Sequence, residues 1–302
     1  MTHPTPPAPT AAQGATPLTQ PLAAAADDLP WTALGNRQGI TLREFPFCRP
    51  DAGIRLRASI GRLGPDIFSP RHRHTFDQVR YMLAGHTMVG DEVYGPGDCG
   101  YFPEGAVYGP QVPHEGETAL QITLQFPGPA RIFYPSPEEQ QRAVEELGKV
   151  GTFRAGTYVR DGVETDSFEA VLTHLTGVPT TYPAPRITAP VLVHGDLVPW
   201  EPTTEAGVSA RDLGCFTGLG PHIELVHAEA GAGLPPSPPG WAEFRFVTEG
   251  RVTHGGAPYE AVSGFYSPAY LGYGPMVAAT DATLLVVRLA GDAPSPGTPR
   301  PR

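Results

Sequence analysis

Cysteine is scarce in this sequence. Cys48, Cys99 and Cys215 are the only three among 302 residues, and they lie far apart. An odd number of widely spaced cysteines fits neither a disulfide framework nor a zinc site made of thiolates. We therefore expect the chain to act in the reducing environment of the cytoplasm.

Basic residues are also few, with 21 Lys and Arg against 31 Asp and Glu and a formal net charge of −10. Nucleic-acid binding needs clusters of Lys and Arg that neutralise phosphates, and the sequence has no such cluster. It also lacks a helix-turn-helix segment, which argues against a transcription regulator. The expected partners are a small molecule and further copies of this chain.

Long apolar runs are missing as well. No stretch is long enough to span a bilayer, and the N-terminal residues lack the basic start and sustained apolar run of a signal peptide. The sequence predicts disordered tails at 1–30, which is rich in Pro, Ala and Thr, and at 291–302, which is rich in Pro.

Glycine and proline, in contrast, are abundant, with 36 and 37 residues. This density of turn residues favours many short strands over a helical bundle. The chain is long enough for one large or two ordinary domains, and its 40% hydrophobic content is enough for a core in each. We predict a mostly β protein.

The strand-like segments fall into two groups. Alternating apolar and polar residues separated by turns predict a first β domain at 31–134 and a second at 191–290. Between them, 135–190 is predicted to be a helical linker. Ser136 begins one helix there with a capping box, and a second short helix is predicted from Asp166 to Gly177.

The second β domain repeats the first. FDQVRYMLAG at 76–85 aligns with WAEFRFVTEG at 241–250, and YGPQ at 108–111 aligns with YGPM at 273–276. Both alignments have an offset of 165 residues (243 − 78), as expected for two copies of one β unit. GYFP and GFYS match one residue out of step, which predicts a small insertion and deletion between the copies.

The stretch SPRHRHTFDQVRYMLAG contains two histidines one residue apart, His72 and His74, followed by Gln78 and Gly85. This spacing resembles the first motif of the cupins, and a later series resembles the second motif: Gly97, Pro103, Gly105 and Tyr108. The resemblance covers nearly all the chain outside the tails and the linker. It implies two cupin-type jelly-roll β-barrels in one chain, a bicupin. It also implies a metal held by His72, His74, Gln78 and Tyr108, although Gln78 replaces the usual Glu and Tyr108 the usual His.

A shorter window resembles a narrower group, the ring-cleaving dioxygenases of the gentisate and salicylate type. These bicupins also read His-Arg-His, lack the motif Glu, and carry an Arg followed by an aromatic residue, here Arg80 and Tyr81. The resemblance implies an iron-dependent dioxygenase, and we expect Arg80 and Tyr108 to be its catalytic residues here. The sequence departs from the group at Tyr108, where those enzymes keep a histidine.

The residues themselves point to the same chemistry. Side chains alternate along a strand, so His72 and His74 face the same way and can reach one ion. Neutral donors favour one divalent transition metal, such as Fe, Mn, Ni, Cu or Zn, over Ca or Mg. Among these ions, the resemblance makes Fe the preferred one. A buried Arg80 needs an anion, and a substrate carboxylate would serve.

Structural roles remain open for several of these residues. Gln78 and Tyr108 could fill space or hydrogen-bond a ligand histidine, and Arg80 could form a salt bridge like the one that Glu243 and Arg245 suggest for the other copy. Other polar residues are expected to be solvated or to face either the cavity or solvent: Asp77, Glu104, His86, His114, Gln121, Thr123 and Gln125.

The second copy has Ser237 and Pro239 in place of the two histidines, so we expect no metal of cupin type there. The leading hypothesis is a metal-dependent dioxygenase, or another oxidoreductase, that acts on a small organic acid, with aromatic acids among the candidates. The alternatives are a Lewis-acid isomerase, hydrolase or decarboxylase, and a ligand-binding bicupin without catalysis. A homo-oligomer is expected in each case.

Overall fold

The computed structural model describes residues 16–217, 220–238 and 240–290. These residues form two α-helices, 23 β-strands and three short 3-10 helices. The strands are β1 Leu22–Ala25, β2 Thr32–Ala33, β3 Gln38–Glu44, β4 Arg57–Phe68, β5 Asp77–Ala84, β6 Thr87–Val89, β7 Glu92–Tyr94, β8 Cys99–Phe102, β9 Gln111–Pro113, β10 Ala119–Phe126, β11 Thr152–Arg154, β12 Thr157–Arg160, β13 Val163–Asp166, β14 Val191–Val193, β15 Glu201–Pro202, β16 Val208–Cys215, β17 His222–Ala228, β18 Trp241–Glu249, β19 Arg251–His254, β20 Ala257–Glu260, β21 Ser263–Ser267, β22 Met276–Ala278 and β23 Ala282–Ala290. The helices are α1 Pro137–Gly148 and α2 Ser167–Thr176, and the 3-10 helices are Ala26–Asp28, Pro50–Ala52 and Gly195–Leu197.

Each β unit consists of a seven-stranded and a three-stranded antiparallel sheet. In the first unit the strand orders are β14-β8-β5-β10-β4-β3-β2 and β7-β6-β9. In the second they are β1-β21-β18-β23-β17-β16-β15 and β20-β19-β22. The prediction of a mostly β chain with two cupin-type barrels is confirmed.

The strand register confirms the internal repeat and corrects one detail of it. Val79 pairs with Tyr101 in the first unit, and Phe244 pairs with Tyr266 in the second, so both partners are offset by the same 165 residues (266 − 101). The insertion and deletion predicted from GYFP and GFYS are therefore wrong. The glycines of GYFP and GFYS suggested a shifted alignment of β8 with β21. The correct alignment follows from the pairing of these strands with β5 and β18.

The repeated glycine after β5 and after β18 has a steric reason. Gly85 and Gly250 have positive φ angles of 65° and 73°. A Cβ atom at either position would collide with a backbone carbonyl, that of Thr118 or of Asp281. Only glycine fits both conditions, so each copy keeps it at the same turn.

The two units exchange one strand each. β1 pairs with β21 of the second unit, and β14 pairs with β8 of the first. The prediction of a disordered tail over residues 1–30 is therefore wrong for residues 22–25. These residues form β1, which covers a sheet edge that would otherwise be unpaired. Residues 1–15 of that tail, and all of the predicted tail 291–302, lie outside the described residues.

The two seven-stranded sheets also share a core. Alternate residues of β5, such as Val79 and Tyr81, pack in one apolar cluster with Phe244 and Phe246 of β18. The intervening residues, such as Met82, face the interior of the first barrel. Both faces of the central strands are buried, which positions polar side chains of β5 inside the barrel.

The linker contains both predicted helices. Ser136 caps α1 through a complete capping box with Glu139, Asp166 caps α2, and Gly177 ends α2 in the left-handed conformation. A three-stranded sheet, β11-β12-β13, lies between the helices and was missed. Its strands are only three or four residues long and largely exposed, so they have little apolar periodicity to reveal them. Neither helix has the length and apolar character required to cross a bilayer, within the part of the chain that is described.

A buried charge network fills the interior of the second barrel. Glu243 is fully buried and accepts hydrogen bonds from Arg245 Nε at 2.7 Å, Arg288 Nε at 2.6 Å and the Ser237 hydroxyl at 3.0 Å. Arg288 also pairs with Glu224 at 2.7 Å. Ser237 thus occupies the position of His72 but binds a carboxylate. Pro239, at the position of His74, lies outside the described residues.

Replacing Glu243 by Ala leaves two guanidinium groups in the barrel interior with one carboxylate. We expect the free energy of unfolding to fall by about 3–5 kcal/mol, the usual cost of breaking a buried ion pair. Chemical denaturation measures this change. The matched control is Glu260→Ala, which removes an exposed partner of Arg251 in the same barrel and should cost less than about 1 kcal/mol. Equal losses in the two variants would contradict the network's role.

Candidate metal and substrate site

His72 and His74 meet inside the first barrel. Segment 72–74 runs antiparallel to 105–108: the backbone N–H groups of His72 and Tyr108 donate to each other's carbonyl oxygens at 3.0 and 2.9 Å, and Gly105 N–H donates to His74 O at 2.8 Å. Both imidazoles lie on the inner side of this segment and are 8% and 6% exposed. Their Nε2 atoms are 3.1 Å apart. The predicted convergence of the two rings is therefore present.

This separation fits two ligands of one ion. Nitrogens that each lie about 2.1 Å from a metal, at an angle between about 95° and 110°, are separated by about 3.1–3.4 Å. The protein also orients one ring for this role. His72 Nδ1 lies 2.6 Å from Pro70 O, which can only accept, so Nδ1 carries the hydrogen and Nε2 presents its lone pair toward His74.

Both histidines are neutral in this environment. Burial lowers the pKa of His72 to about 3, and the positive charges of Arg37 and Arg80 act in the same direction. Burial likewise holds the pKa of His74 well below its ordinary value, with smaller contributions from His72 and Arg80. Neutral imidazole is the form that binds metals, so neither ring first has to be deprotonated from the charged imidazolium form.

Tyr108 is the nearest further donor. Its hydroxyl lies 3.1 Å from His74 Nδ1 and 3.4 Å from His74 Nε2, and it accepts a hydrogen bond from Arg80 Nη2 at 2.9 Å. Burial raises the pKa of the Tyr108 hydroxyl, although Arg80 and Arg37 oppose this shift. The side chain is therefore a neutral phenol that retains its proton at neutral pH.

Arg80 is held entirely by neutral groups. Its Nε donates to Gln78 Oε1 at 2.6 Å, Nη1 donates to Gln111 Oε1 at 2.9 Å, and Nη2 donates to Tyr108. The guanidinium also lies 4.1 Å above the ring of Phe102. It is 7% exposed, and none of the ion pairs formed among the described residues includes it.

The two copies differ here by one charge. In both barrels the Arg Nε donates a hydrogen bond to the side-chain oxygen of the residue two positions earlier. The distance is 2.6 Å between Arg80 and Gln78, and 2.7 Å between Arg245 and Glu243. The structural contact suggested for Arg80 is thus shared by both units. Only Arg245 has a carboxylate partner, so the first barrel encloses a positive charge that the second barrel neutralises.

The linker closes one side of the site. Phe76 stacks on the His74 ring at 4.3 Å, and Phe168 of α2 meets the same ring edge-on at 6.2 Å. Arg37 connects this cover to the barrel by hydrogen bonds to Ser69 and Asp166, both at 3.3 Å. Phe76 and Phe168 of α2 therefore cover the ring of His74.

A cavity of about 520 Å³ opens on the other side of Tyr108. Its walls are the hairpin residues 89–94, including Tyr94, and the strap at 189–194 that carries β14. This volume is in the range of pockets for small organic ligands. Tyr108 lines this cavity, and its hydroxyl lies 3.1 Å from His74 Nδ1.

Sequence reasoning missed four contributors to this site: Gln111, Phe102, Arg37 and Phe168. Gln111 had a weak signal, because it ends the repeated YGP segment where the second copy has Met276. The solvated state expected for Asp77 and Glu104 is wrong. They are 2% and 5% exposed, and Asp77 accepts from Glu104 N–H at 2.7 Å and from the Tyr101 hydroxyl at 3.0 Å.

The polar residues of β10 were left open between cavity and solvent. Gln121 and Thr123 are each 6% exposed, and Thr123 pairs with Arg80 across the sheet, so these two side chains face the barrel interior. They hydrogen-bond each other at 2.8 Å.

Comparison with known proteins places the fold. No protein-family model matches the sequence, and no curated protein matches it either. Solved structures do match: a candidate dioxygenase from Nostoc punctiforme has a TM-score of 0.63 at 11% identity, covering 94% of this chain and 88% of its own. A glyoxylate-induced protein from Pseudomonas aeruginosa has a TM-score of 0.56 at 14% identity, covering 94% and 92%.

Oxalate decarboxylase from Bacillus subtilis matches with a TM-score of 0.54 at 19% identity, covering 94% of this chain and 78% of its own. At these identities the likeness concerns the fold alone. Together with the duplicated barrels it shows a cupin-type fold, whereas a likeness to gentisate-type enzymes is not shown. The chain has the two-barrel cupin fold.

Proposed function

We propose that the chain is a metal-dependent enzyme of the oxidoreductase type, a dioxygenase that acts on a small organic acid. The observation that carries this proposal is the convergence of His72 and His74 at 3.1 Å beside Arg80, a guanidinium that lacks a carboxylate partner among the described residues. The first feature suits a metal, and the second suits an anionic substrate.

His72 and His74 would hold the ion through Nε2. The hydroxyl of Tyr108 would supply a third coordination position. Gln78 would supply a fourth: its Oε1 accepts a hydrogen bond from Arg80 through one lone pair, and the other lone pair would bind the ion. A donor set without a carboxylate favours transition ions over Mg²⁺ or Ca²⁺, and among them we propose Fe, with Mn, Ni, Cu and Zn as alternatives. When bound, the ion would supply redox chemistry and a Lewis acid beside the substrate.

Arg80 would bind the substrate carboxylate. Its three neutral acceptors hold the guanidinium in place without neutralising it, so the charge is available to an incoming anion. The ring of Phe102 beneath the guanidinium restricts its orientation. An aromatic acid would also find the rings of Tyr94 and Tyr108 in the wall of the adjacent cavity.

If Tyr108 does not bind the ion, its hydroxyl would instead place a proton at the reacting end of the substrate. Because burial raises its pKa, the hydroxyl retains its proton and can donate it as a hydrogen bond. Phe76 and Phe168 would keep water away from the histidines. The second barrel would serve as support through the shared core and the exchanged strands, and we propose that the chain forms a homo-oligomer.

Removing either histidine should remove the metal. We expect protein purified without a histidine tag to lose about one transition-metal ion per chain in His72→Ala and in His74→Ala, as measured by elemental analysis. His227→Ala, in the second barrel, is the matched control and should keep the wild-type content. Unchanged metal in both site variants would refute the ligand assignment.

Replacing Arg80 by Met should weaken the use of carboxylate substrates. A lost charged hydrogen bond of about 1.5–3 kcal/mol corresponds to a fall of roughly 10- to 100-fold in kcat/KM. Oxygen uptake with a panel of hydroxylated aromatic acids measures it, and the amide analogues should be little affected. Arg62→Met, which removes an exposed arginine that lies 4.1 Å above Trp31, should leave turnover unchanged.

The same assay separates the proposal from its alternatives. Conversion of an acid without oxygen consumption would instead indicate a Lewis-acid isomerase, hydrolase or decarboxylase. Metal and acid binding without any conversion would indicate a ligand-binding protein.

A further inference from the structure

A second group of metal-ligating side chains lies outside the barrel interior. His86, His114 and Glu117 each offer one ligand atom, and these atoms all lie within 4.8 Å of one another. All three side chains are partly open to solvent, in contrast to His72 and His74. The group lies at the end of the β6–β9 pair, where β5 turns into β6 and β9 leads into β10.

Strand register places the two histidines side by side. β6 and β9 pair Met88 with Val112 and Thr87 with Pro113, so the next position along the pair sets His86 opposite His114. Directly opposed residues on an antiparallel pair project to the same face. The two ring centroids are accordingly 5.6 Å apart.

A tight turn brings in the carboxylate. Glu117 N–H donates to His114 O at 2.9 Å, and Glu115 and Gly116 between them have φ angles of 50° and 75°. This turn returns Glu117 to His86, where its Oε2 accepts from the His86 backbone N–H at 3.1 Å and lies 2.9 Å from His86 Nδ1. His86 lowers the pKa of Glu117, which keeps the carboxylate charged.

A hydrogen bond between His86 and Glu117 explains why these two side chains lie together, but it does not explain the position of His114. His114 Nδ1 is buried and has no hydrogen-bond partner, which is costly for a polar nitrogen. An ion bound by all three groups would need ligand atoms within about 3.4 Å of one another, a closure that small rotations of half-exposed side chains supply. The ion would satisfy His114 and balance the charge of Glu117.

The fold itself does not require this group. The second copy has the same strand pair, with Val252 opposite Ala278. Its positions equivalent to His86 and His114 are Arg251 and Ala279, which cannot bind a cation together. The histidines are therefore a feature of the first barrel alone and not a consequence of the turn geometry.

From these observations we infer that His86, His114 and Glu117 form a second metal site, which takes a divalent transition ion such as Zn²⁺ or Co²⁺. Two imidazoles and one carboxylate suit such ions and leave a position for water. The ion would tie the β5–β6 turn to the β9–β10 loop. It would thereby stabilise the ends of the two strands that carry Arg80 and Thr123, independently of the proposed activity.

The test uses the full chain with His72 and His74 both replaced by Ala, so that the interior pair cannot contribute. Titration with Zn²⁺, followed by calorimetry, should show one saturable site per chain. Zn²⁺ at about 100 times the dissociation constant should raise Tm by about 5 °C. Adding His114→Ala or Glu117→Gln should abolish both effects. Thermal unfolding without metal shows whether each variant is folded.

His174→Ala is the matched control, because His174 forms a similar pair with Glu146 at 2.7 Å without a second histidine. It should leave Zn²⁺ binding unchanged. Absence of saturable binding would overturn the inference, as would binding that persists in His114→Ala and Glu117→Gln. If the double histidine background does not fold, the same variants in the wild-type chain should each lose one Co²⁺ ion per chain and its visible absorption. Retention of that Co²⁺ ion in these variants would also overturn the inference.

Discussion

The candidate site depends on one short backbone contact, the antiparallel pairing of segment 72–74 with 105–108. This pairing sets His72 and His74 on the same inner face and brings Tyr108 to the same place. Because the barrel and α2 enclose the rings, they are neutral, and their lone pairs rather than their protons are available to an ion. The proposed metal binding and the roles proposed for Tyr108 and Arg80 all depend on that convergence.

The two copies of the β unit can be compared within one chain. Both barrels place an arginine at the same point of the central strand, and both hold its Nε with the side chain two residues earlier. Glu243 converts the second interior into a closed charge network with Arg245 and Arg288. Gln78 leaves the first interior positive, which favours an anion. The second interior is thus neutralised by its own carboxylates, whereas the first retains the charge of Arg80.

Much of the fold could be predicted from the sequence because its signals are local. The capping box at Ser136, the glycine at Gly177 and the alternation of 119–126 each determine an element through neighbouring residues. The histidine pair was likewise visible as a spacing. The exchange of β1 and β14 between the units could not be predicted, because strands of four and three residues take their stability from a sheet edge that is distant in the sequence.

The site was predicted less completely for the same reason. Phe168 and Arg37 reach the histidines only through tertiary packing of the linker, and Asp77 is buried because backbone and hydroxyl donors satisfy it. Anomalous diffraction from crystals of the metal-loaded protein tests the central claim most directly. We expect a peak about 2.1 Å from both Nε2 atoms of His72 and His74. A loaded protein whose anomalous peaks all lie elsewhere would contradict it.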